Sequence, residues 1–226
     1  MSRTATLPRP PAVPPSPPRV GDLDPDDPPA VLPRMSRKEY LAFDNAATRN
    51  FKYEWTNGSV RKMVGVTANH YTVAGNIVEA LAPLLRSARR PGRTFKVGGT
   101  DMRTRVPDGP YYYPDVIVRP IPSVYEEPGD EPQRTLLNPV LLVEVLSRST
   151  AAVDRGEKRR EYLRIPTLEN YLIVQPNVRE VLRLTRSGDR WGEKRFRDAA
   201  VELPRFGVTL PADDVYEFCL PGGDRF

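Results

Sequence analysis

Apolar positions along the chain switch between helical and strand periods. Ser36-Arg37-Lys38-Glu39 has capping-box spacing ahead of Tyr40, Leu41 and Phe43, which predicts a short first helix. Phe51-Lys52-Tyr53-Glu54-Trp55 alternates apolar with polar, turns at Asn57-Gly58 and resumes through Val60 to Val66, so residues 51–66 read as an antiparallel hairpin. From Tyr71 to about Arg89, Val73, Ile77, Leu81, Leu84 and Leu85 recur at helical spacing, with Pro83 inside the run and arginines at its end. Three strands are predicted next, at Thr94–Val97, Asp101–Val106 and Tyr113–Val118, consecutive in one sheet. After a Pro- and acid-rich loop, Val140 to Leu146 is an almost unbroken aliphatic run, the pattern of a central strand buried on both faces. A helix over about Ala151–Arg164, a strand at Tyr171–Val174 and a hairpin of Val178–Thr185 with Trp191–Phe196 complete the pattern, and the remainder reads as a short tail.

The first 34 residues have no such pattern. They hold 11 of the 26 prolines, and their four arginines balance four aspartates. Such a segment cannot offset its ordering entropy by burial, so residues 1–34 read as an extended tail and residues 35–226 as one folded domain. Prolines interrupt every candidate signal-peptide core, and no apolar window approaches the roughly 18 residues of a membrane span; the expectation is a cytoplasmic protein with no membrane partner. Single Cys219 and His70 exclude a disulfide scaffold, a structural zinc cluster and multi-histidine metal sites. The 34 basic residues against 29 acidic ones leave a mild net charge of +5.

Within the aliphatic run Glu144 is out of character, because an ionised carboxylate there costs several kcal/mol unless it is paired or bound to a cation. Two partners suggest themselves. Asp115 of Tyr113-Pro114-Asp115 also sits at the mouth of an aliphatic strand, and two carboxylates on adjacent strands can converge on one hard cation such as Mg²⁺. Lys158 lies at i+4 from Asp154 and four residues before Tyr162, so the three share a helix face from which an ammonium could orient a water. His70, at the start of the second helix, reads either as a phosphate or site contact or, more commonly, as a capping or packing residue. Tyr111, Tyr112 and Tyr113 read either as rings that stack on bases or as ordinary strand residues.

Taken together, Pro114-Asp115, Glu144-Val145-Leu146-Ser147 and Ser149-Thr150 followed by Asp154, Lys158 and Tyr162 resemble the PD-(D/E)XK nuclease superfamily, and within it the bacterial Uma family of restriction-endonuclease-like proteins. The likeness extends from about Met35 to Tyr216. Leu146 stands where the superfamily usually has its lysine, and Lys158 matches the Uma-like variant that supplies it from the next helix; Arg148 replaces a usual proline. The resemblance implies an α/β fold with a restriction-endonuclease-like core, a central mixed sheet flanked by helices, plus an N-terminal β-hairpin and a C-terminal antiparallel hairpin. It implies Asp115, Glu144 and the Val145 carbonyl as metal ligands and Lys158 as the group positioning the water. Glu54 and Asp101 become further catalytic acids, orienting Lys158 or a second metal; their plainer readings are a solvated hairpin residue and a turn acid.

The implied activity is that of a Mg²⁺-dependent endonuclease, with Mn²⁺ as a substitute, hydrolysing DNA through a metal-activated water. Two alternatives keep the residues: a catalytically silent nucleic-acid-binding or assembly module of the same fold, and a metal-dependent hydrolase of a small phosphorylated substrate. DNA is the implied partner, and family likeness suggests a homodimer.

Overall fold

A computed structural model describes residues 19–48, 51–63, 65–88, 92, 94–126, 135–147, 151 and 154–220. Helix α1 (Arg37–Ala46) begins at the predicted capping box, with the Ser36 side chain accepting from the Glu39 amide and the Glu39 carboxylate accepting from the Ser36 amide. Strands β1 (Tyr53–Thr56) and β2 (Ser59–Lys62) form the predicted hairpin, and Asn57 and Gly58 both take the positive φ that a two-residue turn requires. Tyr40 and Phe43 of α1 pack with Tyr53 and Tyr111 into a small aromatic core.

Helix α2 (Ala68–Ser87) buries Val73, Ile77, Leu81 and Leu85 as one stripe. It is followed by β3 (Thr94–Gly99), β4 (Arg103–Arg105), β5 (Tyr111–Tyr112), β6 (Val116–Ile121), β7 (Thr135–Leu136) and β8 (Leu141–Val145). A π-turn at Asp154–Lys158 leads into α3 (Arg159–Tyr162). The chain then runs through β9 (Asn170–Gln175), β10 (Glu180–Ser187), β11 (Arg190–Arg197), β12 (Val201–Leu203), β13 (Val208–Leu210) and α4 (Ala212–Tyr216).

The central sheet is mixed, ordered β11-β10-β9-β8-β6-β3, with β8 and β9 parallel and its other pairs antiparallel. Side chains of β8 alternate between two cores, as a strand's two-residue period demands. Leu141, Val143 and Val145 meet the α2 stripe, whereas Leu142 and Leu146 meet Tyr162, Ile165, Leu168 and Tyr171. Each buried aliphatic side chain contributes about 1.5–3 kcal/mol, which makes β8 the spine of the fold. Glu144 falls by the same alternation on the face of Tyr162.

Three expectations are corrected. The strand predicted over Asp101–Val106 is shortened to β4 and leaves the central sheet for a second one, ordered β2-β1-β5-β4-β7. Its Arg103 is fully buried against Asp44 and donates to Thr135 Oγ1 at 2.7 Å, which ties β4 to α1 and β7. Of the two readings of Tyr111 and Tyr112, the ordinary strand residue holds: both are completely buried in β5. The stretch after Phe196 read as a tail contains β12, β13 and α4, whose Val201, Leu203, Leu210 and Val215 belong to the core under α2. Part of the Pro-rich segment also makes contacts: Val20, Leu23 and Leu32 pack against the aromatic core, and residues 1–18 lie outside the described residues.

Candidate active site

The site gathers where β6, β8, the π-turn and the β1–β2 hairpin meet. Strands β6 and β8 are adjacent and antiparallel, pairing Val116 with Val143, and this brings Asp115 beside the C-terminal end of β8. The Asp115 amide donates to the Val143 carbonyl at 3.0 Å, and its Oδ2 accepts from the Val145 amide at 2.7 Å. The same Oδ2 lies 3.3 Å from His70 Nε2. One strand over, Glu144 Oε1 accepts from the Tyr162 hydroxyl at 2.8 Å and from Lys158 Nζ at 3.2 Å.

Lys158 is the centre of the cluster. Its side chain is 3% exposed, and its ammonium lies 2.8 Å from Glu54 Oε1, 3.2 Å from Glu144 Oε1 and 3.6 Å from Asp154 Oδ1. The π-turn carries both Asp154 and Lys158 inward, and Tyr171 donates from its hydroxyl to the Asp154 carbonyl at 3.3 Å. Glu54 arrives from β1, where Oε1 also accepts from the Tyr113 amide at 3.3 Å and Oε2 pairs with Arg61 at 2.9 Å.

The electrostatics follow from this crowding. Burial alone would push the Lys158 ammonium towards neutrality, but Glu144, Glu54 and Asp154 outweigh it and hold its pKa well above the ordinary lysine value. Burial raises the Glu144 pKa well above the usual carboxylate range; Lys158 opposes that rise, and Asp154, Asp115 and Glu54 reinforce it. Burial likewise opposes charge on His70, yet the hydrogen bond and charge of Asp115, with a bond to the Val145 backbone, raise its pKa. Carboxylates are thus in excess at the Glu144 end of the cluster, a field that favours an added cation.

Among the described residues, no three His, Cys, Asp or Glu side chains form a ready-made metal cage. Magnesium does not need one, since it binds through one or two carboxylates and keeps several waters. The donor set of Asp115, Glu144 and a backbone carbonyl is hard oxygen throughout, and three carboxylates, those of Glu54, Glu144 and Asp154, crowd the single Lys158 ammonium, a charge balance that fits such an ion.

Of the residues singled out from the sequence, Asp115, Glu144, Val145, Lys158 and Glu54 are brought together. Asp101 is not: its side chain is 95% exposed in a turn and meets Lys52 at 2.7 Å. Two further residues join the cluster: His70, for which the sequence leaves a site contact and a packing role both open, and Arg61, which the sequence did not single out. His70 shares the phase of Val73, Ile77 and Leu81, so it continues the stripe that α2 turns towards the sheet. Arg61 is the cross-strand partner of Glu54, a register that the Asn57-Gly58 turn already dictates.

No helix among the described residues is long and apolar enough to cross a membrane. Two Synechocystis proteins are similar in sequence. "Uncharacterized protein sll1609" is 33% identical over 159 residues, covering 69% of this chain and 83% of its own. "Uncharacterized protein slr1290" is 28% identical over 193 residues, covering 84% and 95%. Among solved structures, one from Anabaena variabilis, titled a putative nuclease belonging to DUF820, superimposes with a TM-score of 0.58 at 16% identity, covering 73% of this chain and 89% of that one. That likeness supports the nuclease-like α/β fold. The model of the Uma2 family, described as "Putative restriction endonuclease", matches residues 37–213, and the chain belongs to that family.

Proposed function

We propose that this protein is a metal-dependent endonuclease that hydrolyses DNA phosphodiesters by in-line attack of water. The observation that carries this reading is the buried Lys158 ammonium held between Glu54 and Glu144, at the end of the strand pair that presents Asp115. A lysine in that setting keeps its charge and has a fixed direction.

Asp115, Glu144 and the Val145 carbonyl are the groups that would hold Mg²⁺ or Mn²⁺. When bound, such an ion activates water and neutralises charge on the phosphoryl oxygens. Asp115 is pre-positioned by the Val145 amide and by His70. Lys158 donates towards the attacking water or the developing phosphoryl charge, at a position set by Glu54 and Glu144. Tyr162 fixes Glu144 Oε1, leaving the other carboxylate oxygen for the cation. Glu54 acts through Lys158, as a positioning residue.

The test is incubation of supercoiled DNA with Mg²⁺ or Mn²⁺, comparing wild type with Glu144→Gln. Metal-dependent nicking by wild type, lost in the variant, is expected. Equal cleavage by both would remove the reading. Calorimetric titration of the same proteins with Mn²⁺ separates it from a silent binding module, which has no need of a cation at Asp115 and Glu144.

A further inference from the structure

Beside the carboxylates lies a feature that the hydrolytic groups leave unexplained. Between the β1–β2 hairpin and the first turns of α2 opens a cleft of about 520 Å³, within the range of small-ligand sites. Phe51, Met63, Val66, Tyr71 and Ala74 line it, and it reaches His70 and Asp115. Tyr71 is 76% exposed and Val66 51%. Scattered exposed apolar groups are ordinary on a protein surface; here they converge on a cleft shared with a proposed metal ligand.

Besides Asp115 and His70, the charged side chains lining the cleft are two lysines. Lys62 and Lys52 also line the cleft, and the Lys62 ammonium stands 3.2 Å from the Phe51 ring centroid. Lys52, itself 23% exposed, is paired with Asp101, whose carboxylate is almost wholly in solvent, and a pair screened on its acidic side is weak enough to yield to a phosphate. A stacked duplex offers phosphates and groove edges, and keeps its base faces hidden. An aromatic and aliphatic cleft flanked by lysines offers what an unstacked base with its own phosphates requires.

We propose that this cleft is a nucleobase subsite, and that the preferred substrate is single-stranded or unpaired DNA, one base of which stacks on Tyr71 while Lys52 and Lys62 take the neighbouring phosphates. This proposal rests on the nuclease reading and names the substrate form for it. The ring for the base is Tyr71 at the helix start, in place of the buried tyrosines of β5.

The experiment uses the full chain in Ca²⁺ with a fluorescent single-stranded oligonucleotide carrying one 2-aminopurine, and with its duplex. Anisotropy reads affinity, and 2-aminopurine fluorescence reads stacking. Tyr71→Ala is expected to weaken single-strand binding about 5- to 100-fold and to relieve the 2-aminopurine quenching seen with wild type. Tyr71→Phe retains both, and duplex affinity does not change in either variant. Unaltered single-strand binding by Tyr71→Ala, or an equal loss on both DNA forms, overturns the subsite. Hydrolysis is scored in parallel with Mg²⁺. Cleavage with no dependence on Tyr71 removes the cleft and leaves the nuclease reading. Tyr71-dependent quenching without cleavage by wild type removes the nuclease reading and leaves a nucleobase-binding cleft.

Discussion

Lys158 Nζ lies closer to Glu54 Oε1, at 2.8 Å, than to Glu144 Oε1, at 3.2 Å. The hairpin therefore holds the Lys158 ammonium at least as firmly as the central strand does. Replacing Lys158 by Met leaves buried carboxylates facing one another without their cation. Breaking a buried pair in this way costs about 3–5 kcal/mol, so the metal-free variant should unfold at markedly lower urea, with added Mn²⁺ restoring part of the loss. Urea midpoints with and without Mn²⁺ measure both effects; an unchanged midpoint would show that Lys158 is not electrostatically central.

Glu54→Gln tests whether Glu54 positions Lys158 or binds metal itself. Mn²⁺ affinity by calorimetry should be retained and the single-turnover rate should fall on the order of 100-fold, the scale of one misplaced hydrogen-bond donor to developing charge. A large loss of Mn²⁺ affinity would make Glu54 a ligand.

Asp101→Asn is expected to change little. The exposed pair with Lys52 contributes at most about 1 kcal/mol, and Asp101 touches none of the site carboxylates given above. Urea unfolding should match wild type, and the single-turnover rate at saturating DNA should not fall; a large loss of that rate would return Asp101 to the site.

His70→Gln removes the imidazole from Asp115 Oδ2. Partners that orient a metal-binding carboxylate typically matter by about 10–100-fold in affinity, and a weakening of Mn²⁺ binding on that scale is the expected result. Unaltered Mn²⁺ binding would reduce His70 to a packing residue.

Tyr53 supplies a pH test away from the site. Burial, then Asp26, Asp44 and Asp24, push its phenol up to about 12, from an unfolded value of about 10. A raised pKa means that the native state binds the proton more tightly, so this stabilisation is complete below about pH 10 and fades as the pH rises through about 12. Urea midpoints of wild type should fall more steeply over that window than those of Tyr53→Phe. Parallel curves would contradict the assignment.

Much of this was legible in the chain because local rules and burial agreed. Ser36 and Glu39 cap α1, Asn57-Gly58 turns the hairpin, and the aliphatic run around Glu144 could only be a central strand. Glu144 announced itself by the cost of burying a charge. What stayed hidden depends on non-local pairing. Nothing near Asp101 tells that β4 pairs with β5 and so joins the hairpin's sheet, with Arg103 turned onto Asp44 of α1 and Asp101 left in an exposed turn. The three-residue strands β12 and β13 are too short to carry a period. For His70 the sequence leaves a site contact and a packing residue both open, because its partner, Asp115, lies on a distant strand; its phase with Val73 and Ile77 is the available clue.

The central claim is that Asp115, Glu144 and Lys158 form one hydrolytic site. It is tested most directly by cleavage of supercoiled and single-stranded DNA with Mg²⁺ or Mn²⁺, using wild type, Glu144→Gln and Lys158→Met, each confirmed folded by its near-UV circular dichroism. Cleavage by wild type should require the metal and vanish in both variants. Cleavage that persists without a divalent cation, or survives undiminished in either folded variant, would contradict it.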